Sequence, residues 1–264
     1  VSTGSNRQAI GPHLQNAWDY YVSNGRLKEA VELAAIPLTG GESSKLIHLK
    51  LVERTIEFAD EQSNIFGYLL NNLARGLLFH TGDFKAAEEH LHSALKIAES
   101  YSDHNLKATT LRSIVENRHF HGAKSDEDAK LLENAMESAR IANNPGLEAD
   151  CARSAVYLAL QRGDAKAAIQ NGKQAVAAAE RSHQLNSLVY NLAGLAAAHE
   201  TSADWEGFFA AIDRSLKIDP NNSAVLSEKI RGLEWLGRSN ESDENLIRLA
   251  EISNRHAEHF DSIN

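Results

Sequence analysis

The chain has 264 residues, of which 42% are hydrophobic and 24% charged, with four prolines and a formal net charge of −9. That is enough apolar material for a large core, built as one long domain or as an array. No run approaches ~18 apolar residues, which excludes a membrane-spanning helix, and the acidic balance argues against broad contact with nucleic-acid phosphates, which needs clustered Lys and Arg.

The apolar period is helical almost throughout, and no stretch alternates in the manner of a strand. The opening "VSTGSNRQAIG" has no signal-sequence pattern, and residues 1–10 read as a disordered lead. A first helix follows, holding Trp18, Tyr20 and Tyr21, with Trp18 expected in the core. Polar breaks then recur: "SNGR" (23–26), "LTGGESS" (38–44), "DEQSN" (60–64), "HTGD" (80–83), "YSDHN" (101–105), "AKSDED" (123–128), "NNPG" (143–146), "QRGD" (161–164), "RSHQLN" (181–186), "TSAD" (201–204), "DPNNS" (219–223) and "GRSNES" (237–242). Gly, Asn and Pro stop helices while Ser and Asp start them, so these breaks predict about a dozen helices. "NRHFHGAK" (117–124) is locally basic, but "SDEDAKLLE" follows at once. Cys151 is the only cysteine, so no intrachain disulfide framework can form. It reads as a small buried apolar residue, and a reducing, cytoplasmic location is the simpler expectation. Trp235 is expected to seal the last hairpin. The final "ENLIRLAEISNRHAEHF" reads as a solvating cap, or as a contact to a missing neighbour or to a second chain in a homodimer.

The helix ends repeat. "TIEFADEQSNI" (55–65), "ALKIAESYSDH" (94–104), "SARIANNPGLE" (138–148), "AVAAAERSHQL" (175–185) and "SLKIDPNNSAV" (215–225) align on Ala59, Ala98, Ala142, Ala179 and Asp219, with a weaker sixth anchor at Ser253. A recurring interval of this size marks a stacked array, in which each hairpin buries its apolar stripe against its neighbours.

"GDFKAAEEHLHSALKIA" resembles the second half of a tetratricopeptide repeat. Gly82 and Asp83 sit in the turn, Phe84 takes the aromatic position, and Ala87, Leu91 and Ala94 take the small, large and small positions. "RGDAKAAIQNGKQAVAAA" repeats this with Gly163, Asp164, Ala168 and Ala175, but places Gly172 where a large residue is expected. "ADWEGFFAAIDRSLKIDPNN" carries Trp205 after its turn and ends in a typical repeat terminus. "NGRLKEAVELAA" is a degenerate first copy with Gly25 and Ala30. The resemblance implies an all-α fold, a right-handed α-α superhelix of about six hairpins forming a single domain over residues 11–264. The long, degenerate copies are similar to the sensor segments of MalT-like regulators and of multidomain nucleotide cyclases.

Chemistry has little support in the sequence. His90 and His92, and likewise His119 and His121, are two apart, so on a helix their rings diverge. His256 and His259 could share a face but lack a third ligand. The histidines therefore read as exposed surface, and no metal is expected. Neither GxxxxGK(S/T) nor GxGxxG occurs, so no cofactor is expected. No nucleophile, base and orienter can be assembled, so no enzymatic activity is expected.

In the tetratricopeptide family the first helix of each hairpin lines the concave surface. Counting back from the turns places Asn72, Phe79, Arg153, Tyr157 and Asn191 there as candidate ligand-binding residues. An Asn amide can both donate to and accept from a peptide backbone, and Arg153 can take a carboxylate bidentately. The leading expectation is a non-catalytic scaffold that binds a protein or peptide segment, as a regulatory or assembly module of a larger bacterial protein, with no direct nucleic-acid or membrane partner. The alternatives are a ligand sensor that switches an attached effector and an enzyme with a His/Glu site.

Overall fold

The computed structural model describes residues 10–37, 42–122, 125 and 127–261. Among them are thirteen α-helices and no strand. The lead expected over residues 1–10 lies outside the described residues, except for Ile10, which opens the first helix. The sequence suggests one continuous domain. By their contacts the residues group into two compact units, Val1–Asn143 and Asn144–Asn264.

The first unit contains α1 (Ile10–Ser23), α2 (Leu27–Ala35), α3 (Glu42–Ile56), α4 (Asn64–Gly76), α5 (Phe84–Ser100), α6 (His104–Phe120) and α7 (Asp128–Ile141). Its opening core joins Trp18, Val31, Leu49, Leu51, Val52 and Leu69. Trp18 is 1% exposed, as expected, and its indole N–H donates to Thr55 Oγ1 at 2.8 Å. From α4 onward the helices pair as hairpins, α4 with α5 and α6 with α7. Ala87, Leu91 and Ala94, the small, large and small positions of α5, are all buried. The small residues let the paired helix approach, and the large one fills the space between turns.

The second unit contains α8 (Pro145–Gln161), α9 (Ala165–Ser182), α10 (Leu185–Thr201), α11 (Trp205–Ile218), α12 (Ser223–Trp235) and α13 (Ser239–Asp261), again as successive hairpins. Cys151 is buried, as expected. Gly172 is explained by its neighbour: a Cβ there would lie 2.9 Å from Leu195 Cδ1 and 3.2 Å from Leu195 Cα, so α10 supplies the large side chain that α9 omits. Trp235 does not seal the last hairpin. It is 74% exposed, because it falls at the last position of α12, past the buried stripe of Val225, Leu226, Ile230 and Leu233.

Local chemistry sets the breaks. Asp83, Asp103, Asp164, Asp204, Asn144 and Asn222 accept from the backbone N–H three residues on, at 2.9–3.1 Å. Each satisfies an N–H that the helix itself leaves open. The turns inside the hairpins from α4 onward need one left-handed residue. It is Gly82, Gly122, Gly163 and Gly237 in four of them, but Ala203 at φ +56° in the α10–α11 turn. The left-handed conformation costs a Cβ-bearing residue about 1–2 kcal/mol, and glycine returns part of that as chain entropy. Ala203→Gly should therefore stabilise the protein by about 0.5–1 kcal/mol, raising Tm by about 2–4 °C per kcal/mol in scanning calorimetry. An unchanged or lower Tm would contradict this turn geometry.

Candidate binding surface

In the first unit α4 packs beside α6. Arg75 on α4 reaches across to α6, where Nη1 lies 3.0 Å from Glu116 Oε2 and 3.5 Å from Ser113 Oγ. Arg112, one turn before Glu116, approaches the same carboxylate, with Nε 3.8 Å from Oε1. One carboxylate thus holds two guanidinium groups in place, and all three side chains are at least half buried. Beside them Asn71 is 1% exposed, and its Oδ1 has no hydrogen-bond partner among the described atoms. An unpaired buried carbonyl is costly and therefore uncommon.

Where α4 ends, the chain makes a π-helical turn, Leu77–Thr81, closed by the Gly82 N–H donating to the Leu77 carbonyl at 2.9 Å. Leu78 points into the core and Phe79 out to the surface. Phe79 meets Phe120, at the end of α6, edge to face.

The five sequence candidates divide between the units. Asn72 is buried, and its Nδ2 lies 3.1–3.4 Å from the carbonyls of Ala34, Ala35 and Ile36, closing the C-terminal end of α2. Its donors are used inside the fold, so it ties helices together instead of presenting an amide to a groove. Phe79 is on the surface. In the second unit Arg153 lies partly exposed on α8, its Nη2 3.2 Å from Asp150 Oδ1, so the carboxylate it was expected to take from a ligand is supplied by its own helix. Its Cγ would lie 3.9 Å from a Cβ on Gly194 of α10. Tyr157, one turn further along α8, is exposed. Asn191 is buried, with Nδ2 donating to the Ser187 carbonyl at 2.8 Å and to its hydroxyl at 3.2 Å. As with Asn72, burial removes it from any open groove.

The histidines are not all surface groups. His48 is buried, with Nε2 2.9 Å from the Ala34 carbonyl, and burial holds its pKa below the usual histidine range. His92, His119 and His121 are exposed and His90 is partly buried, while the side chains of His256 and His259 lie outside the described residues. Among the described residues no group of three or more His, Cys, Asp or Glu side chains is placed to hold a metal ion.

Asn71, Arg75, Arg112, Glu116 and Phe120 lie on or beside this face, and the sequence did not single them out. The spacing of Arg112 and Glu116, four apart on one helix, is a visible signal. Arg75 and Phe120 carry none, because their partners lie on another helix.

Two further ties hold this face. Tyr68 Oη and Asn64 Nδ2 both donate to Asp103 Oδ2, at 2.9 and 2.8 Å, joining α4 to the start of α6. Burial pushes the Asp103 carboxyl up, but the bonds from Asn64, Leu106 N–H and Tyr68 outweigh it and hold the group below the usual carboxylate range. Asn117 Nδ2 donates to the Phe84 carbonyl at 3.0 Å, joining α6 to α5.

Neither the known family models nor the curated proteins match this sequence. Solved structures do resemble it. A STAND signal-transduction ATPase with a tetratricopeptide repeat sensor, from Pyrococcus horikoshii, aligns with 93% of this chain at a TM-score of 0.67 and 15% identity. This chain covers 41% of that one. Aspartyl phosphate phosphatase F from Bacillus subtilis aligns with 97% of this chain and 76% of its own, at a TM-score of 0.61 and 13% identity. A Rap protein in complex with Competence and Sporulation Factor aligns with 82% of this chain and 72% of its own, at a TM-score of 0.58 and 16% identity. At such identities the likeness is one of fold. By its fold, the chain is a tetratricopeptide-like helical-repeat protein.

Proposed function

We propose that the chain is a non-catalytic scaffold that binds a protein or peptide segment on the faces formed by the first helices of its hairpins, as a regulatory or assembly module of a larger cytoplasmic bacterial protein. The α4–α6 face carries this reading: polar groups held in place by Glu116 lie beside exposed aromatic rings. Such a face offers hydrogen bonds to a backbone and apolar contact to its side chains, and pre-ordering on rigid helices lowers the entropic cost of binding. The Rap protein among the similar structures holds a Competence and Sporulation Factor, which supports the same use of the fold here. In the second unit, Arg153 and Tyr157 on α8 are the corresponding contacts.

The test is photo-crosslinking in a lysate of the source organism, with a benzophenone amino acid placed at Tyr157 and, as a control, at the exposed Ser93 on α5. Capture of one polypeptide at Tyr157 but not at Ser93, reduced by Arg153→Ala in a protein of unchanged helicity, is the expected result. Equal capture at both positions would defeat the proposal. A Tm raised by a small-molecule fraction, without polypeptide capture, would favour the sensor reading instead.

A further inference from the structure

Among the described residues His48 is the one buried histidine, 7% exposed on α3. Its Nε2 stands 2.9 Å from the Ala34 carbonyl, near the end of α2. A carbonyl only accepts, so Nε2 carries the hydrogen and Nδ1 is the bare nitrogen. Among the described residues the ring has no second hydrogen-bond partner. The Ala34 carbonyl also accepts from Asn72 Nδ2 at 3.2 Å, and Asn72 reaches on to the carbonyls of Ala35 and Ile36. One side chain from α3 and one from α4 thus hold the carbonyls that the end of α2 leaves open.

A proton arriving at Nδ1 meets two opposed effects. The C-terminal end of a helix carries partial negative charge, which favours a cation. Burial disfavours it more strongly, because the charge leaves water and the new N–H finds no acceptor. Burial prevails, and the ring is held below the usual histidine range. The charged and titratable groups on the helices packed against it are engaged elsewhere. On α1 Asp19 meets Arg54, and on α2 Glu32 meets Lys28 and Glu29 meets Arg26. On α4 Arg75 meets Glu116 and Tyr68 donates to Asp103, while on α3 itself Lys45 lies over the Phe79 ring and Lys50 and Glu53 are exposed. None of them sets the protonation of His48, which answers to burial first and to the Ala34 carbonyl second.

We propose that His48 is an acid-sensitive clasp within the first unit: when its ring takes a proton, the end of α2 comes away from α3 and α4. The released state gives the imidazolium the water that the closed state denies it. It also bares the Asn72 amide, whose donors the closed state uses on α2. The sign follows from linkage. With the ring held below the usual histidine range when closed, the open state binds more protons as pH falls through that range. The closed state is therefore fully stable above the ordinary histidine value and loses stability as pH falls from there toward the closed-state value. The clasp is independent of the scaffold reading above.

The experiment uses the full chain. NMR follows the titration of the His48 ring, and hydrogen exchange read by mass spectrometry follows the opening of α2. His48 should titrate below the usual histidine range. Protection of α2, corrected for the intrinsic pH dependence of exchange, should fall about tenfold between pH 7 and pH 5. In His48→Gln the amide can still donate to Ala34 but takes no proton, so the fall should disappear. Asn72→Ala should lower protection at both pH values and keep the fall, because it removes the part of the tie that does not titrate. A His48 ring that titrates within or above the usual range would overturn the proposal. So would equal protection of α2 at both pH values, or an equal fall in wild type and His48→Gln. The two wild-type measurements need no variant, and they decide the matter if His48→Gln loses helicity.

Discussion

Trp18→Ala should cost the first unit about 3–5 kcal/mol, the usual range for emptying a large aromatic site in a core. Trp18 is 1% exposed, packs with Val31, Leu51 and Leu69, and donates its indole N–H to Thr55. Thr55 Oγ1 in turn donates to the Leu51 carbonyl at 2.6 Å. Arg54 covers the ring, its guanidinium carbon 4.2 Å from the centroid. Truncation therefore removes packing and also leaves the Thr55 hydroxyl without its donor. Trp18→Phe separates the two effects: it keeps much of the ring volume and should cost about 1–2 kcal/mol, chiefly from the lost hydrogen bond. Urea unfolding followed by circular dichroism measures both. A loss below about 1 kcal/mol for Trp18→Ala would mean that α1 is not part of the cooperative core.

Gly172→Leu should destabilise the second unit, although it restores the residue class that the repeat pattern expects. A Cβ at 172 would already press on Leu195, at 2.9 Å from Cδ1 and 3.2 Å from Cα. The first contact can yield by rotation, but the second is backbone, so a full leucine has to push α9 and α10 apart. Overpacking of this kind costs about 1–3 kcal/mol. Leu195→Ala alone should also destabilise, by leaving a void. The double variant should recover part of the loss, because one large side chain again fills the space. A higher Tm for Gly172→Leu alone would contradict the observed approach of α9 and α10.

Each break between helices was legible because its cause lies within four residues of chain. Asp83 caps Ala86, Asp164 caps Ala167, and Gly82 and Gly163 take the left-handed turn. The burial of Ala87, Leu91 and Ala94 was legible too, since helical spacing puts them on one face. Trp18 followed from its size and apolarity.

What the sequence could not show depends on a second helix. Asn72 looks like a groove amide until α2, some 37 residues earlier, places three carbonyls against it. Asn191 is concealed by burial, and the pairing of Arg75 with Glu116 spans 41 positions. Gly172 looked like a defect in the pattern until Leu195 accounted for it. Phe79 was placed at the surface by counting, but its partner Phe120 lay in a run read only for its charge. By itself, then, the sequence determined the helices, their ends and the repeat, because capping, left-handed turns and amphipathic spacing act over a few residues. Only the tertiary structure decided which polar side chains are spent inside the fold and which remain for a partner, because that depends on side chains from distant helices meeting in space.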